Sequence, residues 1–377
     1  MKIKVAIIVR SLEKGGTERQ VIEIASGLDQ EKFKVVIISF YNKGELIELA
    51  RKKNIEVIFI GKKNRYDLIL FLYKFITCTH KVKPDIIHSF LDSPNIFSSI
   101  YKLLYPNSIL LWGIRSSDMD LTKYTKMRTF SKFIEVSLSK FPNEIIFNSL
   151  NAIRNNDNSR YKSKYSVIQN GIDTKIFINS EVLRNQYRNK WALDESFFII
   201  GMVARFDPKK DHKNFIKASK IILKNRENIR FVLITNYKKE LESIINSYGM
   251  KKYFIIETNI TETNKIYPAF DINTLSSAFG EGFPNAIAEG MSCGIPSTAT
   301  DTGDSKEIIG DIKLISKPRD PAELASCWIS IYEKNFEERI KIGLEQRNRI
   351  INNYSKEIML KKSEKLYFKY HQLNNNE

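Results

Sequence analysis

The segment Ser276-Ser277-Ala278-Phe279-Gly280-Glu281-Gly282-Phe283-Pro284-Asn285-Ala286-Ile287-Ala288-Glu289-Gly290 carries the densest chemistry in the chain. Glu281 lies in a glycine-flanked loop at the exit of an apolar strand, and Pro284 suits the first turn of a following helix. Glu289 then falls five residues, about 7.5 Å, along that helix. A phosphate on the free N–H groups at the helix start, with a ribose one step away, would put Glu289 on the sugar diol. Glu281 would face whatever lies beyond the phosphates. The competing reading packs Glu289 on a helix surface. Spacing does not decide between them, because Glu23/Glu31, Glu48/Glu56 and Glu337/Glu345 repeat it. None of those pairs sits in a glycine loop after a strand, so context is the signal.

Two cations stand at a second strand exit, in Gly201-Met202-Val203-Ala204-Arg205-Phe206-Asp207-Pro208-Lys209-Lys210-Asp211-His212. Five positions apart, Arg205 and Lys210 can hold the two ends of a diphosphate, Arg by its planar fork and Lys as a point charge. An ordinary solvated pair is the alternative. The loop Arg10–Arg19 contains Gly15 and Gly16 at the start of a helix. It is not G-x-G-x-x-G, and no acidic residue closes a second strand in the dinucleotide manner. The glycines serve either a close backbone approach to phosphate or a tight strand-to-helix turn. His88 ends Asp85-Ile86-Ile87-His88, where a histidine is a ligand contact or a core residue.

Parallel α/β elements must position these groups. Short apolar runs alternate with amphipathic stretches: strands are expected at 2–9, 33–40, 55–60, 85–89, 109–113, 144–147 and 165–168. The design repeats at 197–204, 228–235, 253–258, 271–277, 294–300 and 312–316, with helices at 211–223 and 354–370. The boundary falls between Asp173 and Leu193, around the loop Q-N-G-I-D and the polar connector E-V-L-R-N-Q-Y-R-N-K-W-A-L. Two open sheets bind ligands beyond the carboxyl ends of their strands and, facing one another, would make a cleft.

The chain of 377 residues has 42% hydrophobic residues, enough for two cores. Its net charge of +17 excludes an acidic, solvating chain and points to anionic partners. Residues 1–180 hold +12 of that excess. Lys123, Lys126, Arg128, Lys132 and Lys140, interleaved with Tyr124, Phe130, Phe133 and Phe141, either rest on anionic headgroups or form a helix with its aromatics turned inward. Cys78, Cys293 and Cys327 make no disulfide framework or zinc motif, which fits a reducing, cytoplasmic setting. No apolar run is long enough to span a bilayer or serve as a signal segment. Sequence-specific nucleic-acid binding is disfavoured, because the charge accompanies no groove-reading motif.

G-E-G-F-P-N-A-I-A-E-G with M-S-C-G-I-P, preceded by V-A-R-F-D-P-K-K-D-H and V-I-Q-N-G-I-D, resembles the family 4 retaining glycosyltransferases of GT-B fold, of the bacterial surface-polysaccharide type. The likeness spans nearly the whole chain, including the N-terminal G-G-T-E-R and D-I-I-H. It implies two Rossmann-like domains with parallel sheets facing across a cleft. Residues 1–177 would bind acceptor and 178–352 the nucleotide sugar, with the helix at about 353–377 packing back on the first domain. The implied activity is retaining transfer of a hexose or N-acetylhexosamine from a nucleotide-diphosphate sugar, UDP favoured over GDP, to a lipid-linked glycan acceptor. The implied setting is bacterial surface-glycan synthesis on the cytoplasmic side, peripheral to the inner face of the plasma membrane.

By that resemblance the catalytic residues are Arg205, Lys210 and Glu281: the two cations on the diphosphate, Glu281 on the donor sugar. Gly282 and Phe283 would give backbone N–H groups, while Pro284 has none to give. Asn285, Gly15 and Gly16 join the donor set, and Glu289 takes the ribose. Many members carry a histidine where this chain has Arg115, and an arginine, which cannot act as a base, suits hydrogen bonding to sugar or phosphate. His88, Arg115 and Asp118 are thus acceptor or sugar candidates. The departing phosphate would help take the acceptor proton, with no metal and no cofactor. Another GT-B activity, such as a sugar-nucleotide epimerase or phosphorylase, is the enzymatic alternative.

Overall fold

The computed structural model describes residues 2–13, 15–64, 66–115, 125–154, 160–224 and 226–375. The chain forms two compact units, the first running to Gly171 and completed by the segment from Lys356, the second running from Ile172 to Ser355. The expected boundary at 177/178 sits six residues beyond the observed one, because 172–177 pack into the second unit: Ile172 lies in its core and Phe177 against it.

The first unit is built on seven parallel strands, β1 Ile3–Val9, β2 Phe33–Ser39, β3 Glu56–Phe59, β4 Ile86–Phe90, β5 Ile109–Ile114, β6 Glu144–Phe147 and β7 Tyr165–Val167. Their order is β3-β2-β1-β4-β5-β6-β7. Residues alternate between two cores. One holds Val5, Ile7, Ile37 and Ile86 against Met359, Leu366 and Tyr367 of the helix Lys356–Asn375. The other holds Ala6, Ile8, Val36 and Trp112 against Phe71 and Phe75. Strands buried on both faces explain the continuous apolar runs in the sequence.

The second unit carries six strands, β8 Phe198–Val203, β9 Ile229–Thr235, β10 Phe254–Thr258, β11 Ile272–Leu275, β12 Ser297–Thr300 and β13 Ile315–Ser316, in the order β10-β9-β8-β11-β12-β13. Several strands are shorter than expected, and at two of them the sequence gives the reason. Gly294 has φ +73° and Pro296 lacks an N–H, so pairing begins only at Ser297. At 312–316, Asp311 accepts from the Lys313 amide and caps a 3-10 turn over Ile312–Leu314, leaving Ile315–Ser316 to pair with β12. In both sheets the strand order reverses once, between β1 and β4 and between β8 and β11. Such reversals open a crevice at the carboxyl edge. No helix among the described residues is long and apolar enough to cross a membrane.

Candidate active site

The second unit's reversal point brings the sequence candidates together. Arg205 leaves the carboxyl end of β8, and Glu281 the carboxyl end of β11, the neighbouring strand. Two backbone ties fix their loops: the Ser276 hydroxyl donates to the Lys210 carbonyl (2.9 Å) and the Asp211 carbonyl (3.1 Å), and the Ala278 amide donates to the Lys209 carbonyl (2.7 Å). Asp207 caps the turn Pro208–Lys210 by accepting from the Lys209 amide, and Asp211, at φ +44°, caps the helix His212–Ile222. Lys210 is thereby aimed at Glu281.

The Lys210 ammonium donates to Glu281 Oε1 at 2.6 Å, and the Ser277 hydroxyl donates to the same oxygen at 2.7 Å. Both charged groups are largely out of solvent. Burial alone would raise the Glu281 pKa, but the charges of Lys210 and Lys209 and the two hydrogen bonds overcome it, leaving it at about 2. Burial pulls Lys210 below the ordinary lysine value, opposed by Glu281. An ammonium has three N–H groups. One is used on Glu281, so Lys210 can hold an anion without leaving its partner. Arg205 is exposed, with no ion pair or side-chain hydrogen bond to the described residues.

The helix after this loop is Asn285–Ser292, with Pro284 as its cap residue. Gly282 and Phe283 are buried, yet their amides donate to no described residue. A clasp from the next strand exit holds their peptide in place. The Asp304 amide donates to the Gly282 carbonyl at 2.9 Å, and Gly303 approaches so closely, at φ +55°, that a Cβ there would stand 2.3 Å from that oxygen. Only glycine fits.

Glu289 does not lie on an open helix surface: its Oε2 accepts from the Tyr267 hydroxyl at 2.8 Å and from Thr263 Oγ1 at 3.4 Å. Gly290 beside it allows the helix to touch the sheet, since a Cβ would meet the Asn273 amide at 2.3 Å. Asn273 in turn donates to the Ala286 carbonyl.

His212, in the first turn of the helix His212–Ile222, is buried, and its Nδ1 has no hydrogen-bond partner among the described residues. Burial and the charge of Lys210 hold its pKa down to about 4. A base depressed in the folded state binds its proton more weakly there than when unfolded, so stability is full above about pH 6.5 and falls as pH drops toward 4. Chemical denaturation should show the second unit losing about 2 kcal/mol more between pH 7.5 and 5 in the wild type than in His212→Gln. Equal losses would remove His212 as the cause.

The remaining candidates belong to the first unit. Gly16 opens the helix Gly16–Gly27, with Gly15 as an extended cap residue at φ −160°. Neither glycine needs left-handed backbone. His88 is 2% exposed and stacks on Phe90 at 4.2 Å; its Nδ1 is hydrogen-bonded at 2.7 Å to the Tyr367 hydroxyl, and its Nε2 has no partner. Burial first, and Arg115 second, hold it well below the ordinary histidine value, so it is neutral. Arg115 covers the other contact to Phe90, its Cζ 4.6 Å from the ring centroid, and its Nη1 donates to Asn170 Oδ1 at 2.8 Å. Burial lowers its pKa to about 10, leaving it charged. Asp118 lies outside the described residues.

The sequence reading gave no role to Ser277, Tyr267 or Thr263, nor in the first unit to Tyr367 or Gln20; the turn 303–307 it placed, by resemblance, near the nucleotide or acceptor. The Gln20 side chain exchanges two hydrogen bonds with the Gly171 backbone. Lys132 departs from both readings of the basic run: it pairs with the buried Glu135 at 2.6 Å, while Phe130 and Phe133 face solvent. Lys123 and Tyr124 lie outside the described residues.

Two doubly wound parallel sheets in one chain are the architecture of the GT-B fold. Among solved structures, Anabaena HepE in complex with UDP-glucose superposes at TM-score 0.85, with 19% identity over 97% of this chain and 99% of that one. Staphylococcus aureus TarM gives 0.76 at 14% identity, over 97% and 100%. The Glycosyltransferase Family 4 model matches residues 14–176 and the Glycosyl transferases group 1 model residues 184–357. The chain belongs to the family 4, GT-B type glycosyltransferases. It is 26% identical to the Escherichia coli UDP-Gal:alpha-D-GlcNAc-diphosphoundecaprenol alpha-1,3-galactosyltransferase over 60% of each chain. It is 22% identical, over 77% of each, to a Campylobacter jejuni alpha-1,4-N-acetyl-D-galactosaminyltransferase whose acceptor is a diphosphoundecaprenol-linked glycan.

Proposed function

We propose that the protein is a retaining, metal-independent glycosyltransferase that moves a hexose or N-acetylhexosamine from a UDP-sugar to a lipid-linked glycan acceptor in bacterial surface-glycan synthesis. One observation carries the donor assignment: at the carboxyl edge between β8 and β11, an exposed Arg205, a Lys210 with spare N–H groups and the undonated amides of Gly282 and Phe283 occur together. These are the complements of a diphosphate. Glu289, held by Tyr267, takes the ribose hydroxyls, and Glu281 hydrogen-bonds the sugar.

In the reaction the bond from the anomeric carbon to the diphosphate oxygen breaks and the acceptor oxygen bonds to that carbon on the same face. The acceptor proton passes to the departing phosphate. Negative charge grows on the leaving nucleoside diphosphate, where Arg205 and Lys210 stabilise it as a divalent ion does elsewhere. Double displacement would need a carboxylate free to attack. Glu281, bonded twice at Oε1 and strongly ionised, is better placed to orient. In the first unit, neutral buried His88 supports the Phe90 ring under Arg115, which offers hydrogen bonds to sugar or acceptor.

The donor test is a panel of nucleotide sugars scored by thermal stabilisation, with and without chelator. A UDP-sugar should raise the melting temperature most, and chelator should leave the rise unchanged. No stabilisation by any nucleotide sugar would contradict the assignment.

A lipid-linked acceptor is met at a bilayer, and the first unit has a surface suited to one. Phe130 and Phe133 of the helix Lys126–Leu138 are 63% and 69% exposed beside Lys126 and Arg128; Ile69 and Tyr73, at the start of the helix Ile69–Val82, are 88% and 66% exposed. Both helix starts follow strands of one sheet. Large apolar groups this exposed mark an interaction surface. The wild type should float with anionic vesicles at low salt, and Ile69→Ser/Phe133→Ser should not; equal flotation of the two would overturn this surface.

A further inference from the structure

Along β3 and the amino-terminal halves of β1 and β2 a cavity of about 630 Å³ opens between the sheet and the helix Ile69–Val82, a size typical of small-molecule sites. It lies wholly in the first unit, at the β3 edge of its sheet, and none of the reaction's candidates lines it. Its floor is apolar, formed by Val36, Ile58 and Ile60 with Val82 of the helix. Its rim sets Lys4, Lys34, Lys74 and Lys81 against one carboxylate, Glu56.

Lys4 and Lys34 are register partners on adjacent strands, so two like charges stand side by side, which is destabilising without a counter-charge. The protein supplies part of one: the Asp85 carboxylate accepts from the Lys4 amide at 2.7 Å. The Lys4 ammonium donates to the Val82 carbonyl at 2.9 Å, while Lys34 is 3.9 Å from Glu56 in an exposed pair of small worth. Lys74 and Lys81 have no ion pair among the described residues. An apolar floor under a rim of four cations and one anion fits a molecule with a chain and a multiply charged head.

We propose that this groove binds an alkyl phosphate: the chain lies on Val36, Ile58 and Ile60, and the phosphate sits among Lys34, Lys74 and Lys81. The phosphate monoester carries more than one charge at neutral pH, matching the excess on the rim.

Cys78 lines the groove and is half-buried, whereas Cys293 and Cys327 are buried in the second unit. Thiol modification of the native protein therefore reports on the groove, with Cys78→Ser assigning the signal. Decyl phosphate below its critical micelle concentration should slow Cys78 modification at least about fivefold, and Lys34→Glu/Lys81→Glu should abolish the protection while leaving the melting temperature and nucleotide-linked stabilisation unchanged. Decyl maltoside and inorganic phosphate should each protect less than about twofold, since each satisfies only half of the site. Equal protection by the maltoside would reduce the groove to an apolar contact and overturn the proposal. Equal protection by inorganic phosphate would reduce it to a surface anion site and overturn it too, as would absence of protection by decyl phosphate.

Discussion

Lys210→Ala should lower turnover on the order of a hundredfold, as loss of a charge contact to a leaving group does. The same substitution should cost the second unit about 3–5 kcal/mol, because it removes the ammonium that offsets the buried Glu281 carboxylate. Burial then governs that carboxylate, and its pKa rises from about 2. Arg205→Ala should cost a similar factor in turnover with almost no change in stability, since its exposed guanidinium pairs with nothing described. Steady-state kinetics and thermal denaturation of the two variants separate the roles. Unchanged turnover in both would remove them from the mechanism, and an undiminished melting temperature in Lys210→Ala would contradict the buried pair.

Gly303→Ala should disable the site without touching a charged group. Its left-handed backbone costs a non-glycine residue about 1–2 kcal/mol. The added Cβ would also stand 2.3 Å from the Gly282 carbonyl oxygen and 2.6 Å from that of Glu281, both backbone atoms that cannot swing aside. Relief requires moving the loop that carries Glu281 and the amides of Gly282 and Phe283. The expected outcome is a loss of nucleotide affinity and turnover of at least about tenfold, on the scale of a misplaced oxyanion donor. Calorimetric titration with UDP reads it, and wild-type affinity in the folded variant would show that the clasp does not position the loop.

The architecture was legible because parallel strands buried on both faces print apolar runs, and because the reversal points fall where the chemical residues cluster. Glu281 and Glu289 stood out through the glycines and proline around them, and Arg205 and Lys210 through their place after an apolar strand. Their partners were hidden for a physical reason. Ser277 is one of many serines, Tyr267 and Thr263 lie outside the segment that carries Glu289, and Tyr367 reaches His88 across 279 positions of chain. Such contacts leave no local period. Within the basic run one residue departs for a related reason: Lys132 turns toward Glu135, which Asn95 holds in the interior at 2.7 Å. The strand ends at 294–296 and 312–314 were overextended because apolar content was weighed above Gly294, Pro296 and the Asp311 cap.

The most direct test is the structure of the protein with UDP bound. The phosphates should lie within hydrogen-bond reach of Lys210 Nζ, the Arg205 guanidinium and the amides of Gly282 and Phe283, with the ribose on Glu289. A diphosphate bound elsewhere, or one that leaves both cations turned to bulk water, would contradict the account.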